Sequence, residues 1–262
     1  RKILDTITFG IFRNHSVTVT MNSKDVISPY VQRYYIDNPD PSQRNLNMEN
    51  GEFDALTEDE LNHIDHWTRL DNDLGEAPNY TVDEKQQTYQ LNENSKAVPY
   101  VFLEDQAGNR TYINSKGIID DRESPSSPEI IITTEDPVAE NQDTGLEIFK
   151  GDVNFNIKVT DPIPEGSDTY SGLAKVSYKI IKDGNADKPT QSGNFNEELK
   201  PAAKRVQTLE KTDLLIQSDK NNSNDIVIEV TAEDNAGNIT VATRELAIDI
   251  TKPQIKVSYD NN

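Results

Sequence analysis

Glu104-Asp105-Gln106-Ala107-Gly108-Asn109-Arg110-Thr111 and Glu233-Asp234-Asn235-Ala236-Gly237-Asn238-Ile239-Thr240 are two versions of one stretch, 129 residues apart, and Asp120 stands at the same distance from Asp249. One unit has been duplicated. In each copy an apolar, β-branched run (Val101-Phe102-Leu103; Ile226-Val227-Ile228 to Val230) leads into Ala-Gly-Asn, and a second extended run follows. Gly108 and Gly237 supply the positive φ that a four- or five-residue loop needs, and the flanking Asp and Asn can bond their own backbone. The stretch therefore reads as the last β-hairpin of a repeated β domain. A catalytic use of the Asp and Asn would leave the glycine unexplained.

Working outward, other segments repeat the strand signature. Val17, Val19 and Met21 alternate with polar residues, as do Val153, Phe155, Ile157 and Val159, so each set lies on one face of a half-buried strand. Further strands are expected at Ile3–Ile11, Tyr30–Ile36, Trp67–Leu70, Thr88–Leu91, Leu173–Ile180, Ala203–Leu209 and Ile226–Glu233, and Thr212–Ile216 reads as a capped helical turn or crossover. Thr57-Glu58-Asp59-Glu60 is a capping box, followed by Leu61 and Ile64 at helical spacing, which predicts one short helix from about Glu58 to Asp65. Short strands separated by turn signals indicate sandwiches and not a βαβ sheet. The expected fold is all-β: two tandem antiparallel immunoglobulin-like β-sandwiches, at 1–121 and 122–250, the first with a loop and helix inserted at about 37–66. Asp121 to Pro128 carries two prolines and reads as a stiff, extended joint. Residues 251–262 repeat the opening of the second unit and are expected to start a third, which would make the chain a piece of a longer array.

Composition narrows the function. Among 262 residues, 46 Asp and Glu oppose 26 Lys and Arg, a net charge of −20 that works against binding nucleic acid or an anionic membrane by simple charge. Without cysteine there is no disulfide, thiolate nucleophile or cysteine-based metal site. No apolar run approaches the roughly twenty residues of a membrane span. No nucleophile–histidine–acid order or phosphate loop emerges either, and the expectation is a protein that is not an enzyme.

The two hairpins, the joint Ile248-Asp249-Ile250-Thr251-Lys252-Pro253-Gln254-Ile255 and the Leu56-Thr57-Glu58-Asp59-Glu60-Leu61 insertion with Trp67-Thr68 resemble the tandem immunoglobulin-like repeats of bacterial surface proteins, especially Gram-positive adhesins. The resemblance implies an extracellular, cell-surface protein whose repeats act as stalk, spacer or adhesive module, with a host protein or glycan and the neighbouring repeats as partners. It also brings to mind the lysine isopeptide bonds of such domains, but Lys158 and Lys175 fall on the polar faces of their strands.

Candidate sites are few. Calcium is the cofactor that the acidic loops suit, and Asp120, Asp121 and Glu123 at the joint, with Glu104 and Asp105 if the first hairpin packs there, are the candidate metal ligands. Asp71 to Glu76 fails the EF-hand pattern because its glycine is one position early. Glu60, His63 and His66 could share a helical face toward a metal, but a solvated helix explains them as well. Trp67, with Arg69 and Tyr80, is the candidate ligand contact, against the plainer reading that the tryptophan covers the sandwich edge. Three functions remain open: a structural and adhesive module, a host-protein-binding first unit, or accessory domains of a secreted carbohydrate-active enzyme or protease.

Overall fold

A computed structural model describes residues 12–23, 30–37, 46–47, 52–53, 56–65, 67–69, 85–105, 107–115, 117–135, 137–163, 165, 169–199 and 206–259. The first unit contains β1 (Phe12–Arg13), β2 (Thr18–Ser23), β3 (Tyr30–Asp37), β4 (Leu46–Asn47), β5 (Glu52–Phe53), α1 (Glu58–Asn62), β6 (Thr68–Arg69), β7 (Lys85–Gln90), β8 (Lys96–Asp105), β9 (Arg110–Asn114) and β10 (Ile118–Asp120). The second contains β11 (Glu129–Ile132), β12 (Ala139–Glu140), β13 (Glu147–Phe149), β14 (Val153–Thr160), β15 (Leu173–Lys182), β16 (Gln191–Asn194), β17 (Thr208–Ile216), β18 (Ser223–Asp234) and β19 (Ile239–Ile248).

The duplication seen in the hairpins extends to the topology. In the second unit one sheet runs β12-β13-β19-β18-β15-β16 and the other β11-β14-β17. In the first, β6-β3-β8 continues into β9 and β10, with β1 outside β10, while β2 pairs with β7. β1 joins β10 in parallel as β13 joins β19, so in each unit an early strand lies beside the last one. Gly117, at φ 103°, lies in the break that divides the last strand of the first unit into β9 and β10. The first strand expected at Ile3–Ile11 lies outside the described residues.

Alternation decides which faces meet. Along β14 the side chains of Val153, Phe155, Ile157 and Val159 are buried and their neighbours are not. They pack on Val176 and Ile180 of β15, Ile226, Ile228 and Val230 of β18, and Leu246 and Ile248 of β19. Each fully buried Ile or Phe contributes about 1.5–3 kcal/mol relative to exposure, so this inter-sheet layer is the main stabiliser of the unit. Tyr178 adds a ring stack, edge-on to Phe155 at 5.6 Å and parallel to Phe195 at 6.1 Å.

In the first unit α1 closes over the sheet. Its capping box forms as expected: Thr57 Oγ1 accepts from the Glu60 N–H, and the Glu60 carboxylate accepts from the Thr57 N–H at 2.7 Å. Leu61 is buried against Val98, Tyr100 and Ile119. The Leu56 N–H donates to Tyr100 Oη and Tyr112 Oη donates to Asn62 Oδ1, both at 2.7 Å, which ties both ends of the helix to strands.

One element differs in kind. Thr212–Ile216, expected as a helical turn, is the end of β17, which begins at Thr208; residues 203–205 of the strand expected from Ala203 to Leu209 lie outside the described residues. Leu214 pairs with Phe155 and Ile216 with Val153, so burial against β14 outweighs the local Thr-Asp capping signal. Asp213 absorbs the irregularity at φ 59°, and its N–H donates to Asn156 Oδ1.

Candidate functional site

The two hairpins form with near-identical chemistry. Asn109 donates its backbone N–H to Asp105 Oδ1 at 2.8 Å and its side-chain amide to Asp105 Oδ2 at 2.7 Å. Asn238 does the same to Asp234 at 2.9 and 2.8 Å. Gly108 and Gly237 take φ of 85° and 92°, as the turn requires. The difference is what covers them. Asn109 is exposed, whereas Asn238 also donates Nδ2 to the carbonyls of Asp121 (2.9 Å) and Glu123 (3.3 Å), which belong to the joint between the units.

The joint is bound along its length. Asp121 donates its N–H to Arg13 O at 2.6 Å, so it still belongs to the β1–β10 ladder of the first unit. Its carboxylate reaches forward: Oδ2 accepts the Ser171 N–H at 2.5 Å, while Oδ1 accepts from Glu123 N. Pro125 and Pro128 are buried; Thr240 Oγ1 donates to Pro125 O, and Ser126 N–H to Thr160 O. Asn235 and Ala236 in turn fasten the hairpin to Ser171 and Gly172.

Beneath this lacework sits an acidic cluster. Asp121, Asp161 and Asp234 are each buried and place carboxylate oxygens within 4.8 Å of one another. Asp161 follows β14 directly, and its Oδ2 accepts the Gly172 N–H at 2.6 Å. Burial pushes the Asp121 carboxyl up to about 6 and the Asp234 charge adds to the push, against the bonds from Ser171 that favour the anion. Asp234 is raised too, by burial against the bonds from Asn238. Asp105, the same residue in an open turn, is instead lowered by the Asn109 side chain. Such a cluster relieves its charge by taking up a proton, or by holding a hard cation on oxygens from Asp121, Asp161 and Asp234, the donor type calcium takes.

The structure brings only part of the expected ligand set together. Asp121 is in the cluster. Asp120 is buried one residue away, but its carboxylate is held by Arg122 Nε and Nη2 at 3.0 and 2.9 Å. Glu123 is exposed. Asp105 is elsewhere: Asp120 N–H bonds Ser95 O, at the start of β8, and Asp105 ends that strand, about 30 Å away at the usual rise. The hairpin that packs on the joint is therefore that of the second unit, because a strand carries its two ends to opposite poles of its sandwich. Asp161, Ser171, Asp234 and Asn238 were not singled out from sequence, although Asp234 and Asn238 lie in the repeated stretch itself.

Trp67 is half-buried in a ring cluster, 5.6 Å from Phe102 and 6.2 Å from Tyr112, as the sandwich-edge reading has it. Arg69 lies in β6; Tyr80, His66 and Asp71 to Glu76 lie outside the described residues. His63 Nδ1 bonds Asp59 O and Glu60 is occupied by its cap. Lys158 is exposed and Lys175 pairs with Glu233 at 2.6 Å, so neither faces a buried asparagine.

The bacterial Ig-like domain family matches residues 131–250 of the chain. No curated protein matches it in sequence. Among solved structures, the fibronectin(III)-like modules of Clostridium thermocellum CbhA align with 97% of this chain and 98% of theirs, at 10% identity and a TM-score of 0.31. Red sea bream transglutaminase aligns with 91% of this chain and 30% of its own, at 8% identity and a TM-score of 0.27. Superpositions this loose carry no argument. The sequence match stands on its own, together with the two-sheet architecture built around it: residues 131–250 are similar to the bacterial Ig-like domain family.

Proposed function

We propose that this chain is a non-enzymatic spacer segment of a bacterial cell-surface protein, in which two immunoglobulin-like units are held in one register by their joint. The observation that carries it is the capture of Asp121, the end of the first unit, by Ser171 and Asn238 of the second. A flexible tether would leave those groups to water. A spacer that must hold a binding partner at a set distance needs the ordered joint. The bacterial Ig-like match and the strongly acidic composition support an extracellular location. Among the described residues no helix is long and apolar enough to cross a membrane.

The test is a binding screen of the full chain against host extracellular proteins and glycans, in chelator and in calcium. The spacer reading expects no saturable binding in either condition. Saturable capture that is lost on Trp67→Ala would overturn it and move the function to the first unit.

A further inference from the structure

Three carboxylates meet where the units join, and they come from both units. Asp121 ends the first, its N–H still bonded to Arg13 O, whereas Asp161 follows β14 and Asp234 ends β18 in the second. All three are at most 1% exposed, and each places an oxygen within 4.8 Å of the others. The donors that hold them are neutral: the Ser171 and Glu123 N–H groups at Asp121, the Gly172 N–H at Asp161, and the Asn238 backbone and side chain at Asp234. Such donors offset desolvation but bring no positive charge.

A second observation points to a ligand. Gly172 holds Asp161 Oδ2 at 2.6 Å, but Asp161 Oδ1, also buried, accepts no hydrogen bond. Among the described residues it is the one buried side-chain oxygen or nitrogen of which this is true. Buried polar atoms are satisfied in the great majority of cases, so an oxygen left over on a member of an acidic cluster marks a place for a further partner. A carboxylate oxygen also has a second lone pair, so the surrounding N–H groups leave acceptor capacity for an ion.

We propose that Asp121, Asp161 and Asp234 form a calcium site, in which one ion takes an oxygen from the end of the first unit and two from the second and so fastens the units to each other. Oxygens this close come within the 2.3–2.6 Å of calcium–oxygen bonds with little movement, and water and carbonyl groups complete the shell. Magnesium needs shorter bonds and keeps several of its waters, which a buried cluster disfavours. The site stands whether or not the chain is a spacer: a first unit that captured a host ligand would leave these carboxylates where they are.

The test is an NMR titration of the full chain, freed of metal with chelator, at about pH 8 and constant ionic strength. Calcium chloride is raised from about 0.02 to 10 mM, which brackets the roughly 0.1–1 mM dissociation constants of extracellular calcium modules. The Ser171 and Gly172 amides, which bond the ligating carboxylates, are expected to shift along one saturable curve. Asp161→Asn keeps an oxygen for Gly172 and should abolish that curve, as should Asp121→Asn. Glu123→Gln, which alters an exposed carboxylate of the same joint, should keep it. Retained β14–β17 signals certify that each variant is folded. Unmoved Ser171 and Gly172 amides in the parent chain, an equal response to magnesium chloride, a curve that survives Asp161→Asn or one that is lost in Glu123→Gln would each overturn the proposal.

Discussion

Asp121→Asn separates the electrostatics of the joint from its hydrogen bonds. In the folded chain the Asp121 carboxyl is pushed up to about 6 from 3.8, so the native state holds its proton more tightly than the unfolded one. A raised acid pKa means stability that is full below the unfolded value and lost as pH rises through the folded one. Above pH 7 the buried anion therefore costs about 3 kcal/mol, from roughly two pKa units at about 1.4 kcal/mol each. Asparagine removes that cost and keeps one oxygen for the Ser171 N–H. It gives up the longer Glu123 bond, at about 1 kcal/mol. In chelator, D121N should be about 2 kcal/mol more stable than the parent chain at pH 8 and no more stable, or up to about 1 kcal/mol less so, at pH 4. Urea unfolding at both pH values measures this. An equal difference at pH 4 and pH 8 would refute the argument.

Other consequences can be checked on the same material. Asn238→Ala removes the donor shared by Asp234, Asp121 and Glu123 and should loosen the joint while the β14 core stays intact, seen as faster amide exchange at Ser126 and Ser171 without change at Phe155. Gly193→Ala sets a methyl 2.5 Å from Tyr178 Cε1, in a ring already stacked on Phe195; overpacking of this kind costs about 1–3 kcal/mol in denaturant unfolding. Thr57→Ala removes half of the capping box and should cost about 1 kcal/mol, read as a loss of protection at Leu61 and Trp67 and not in the second unit.

Local chemistry was legible where a residue's role is decided by its neighbours in sequence. Gly108 and Gly237, the Thr57–Glu60 box and the alternation of β14 all act within a few residues, and each forms as read. Thr212–Ile216 shows the limit: a Thr-Asp start looks like a cap until Leu214 and Ile216 find Phe155 and Val153 on the neighbouring strand. The acidic joint lay beyond that limit in another way. Asp121 was a candidate, but its partners Asp161 and Asp234 are 40 and 113 positions on, and no spacing rule connects them. A usable signal was present in the duplication. A turn repeated with its Asp and Asn intact, next to a joint that begins with Asp, pairs the end of one unit with the hairpin of the next.

The central claim is that the two units share one frame because the second holds the end of the first. Amide ¹⁵N relaxation on the full chain tests it directly, since residues of β8 and β18 report the tumbling of each unit separately. One common rotational correlation time is predicted for the parent chain, splitting into two when Asn238 is replaced by alanine. Two different times in the parent chain would contradict the account.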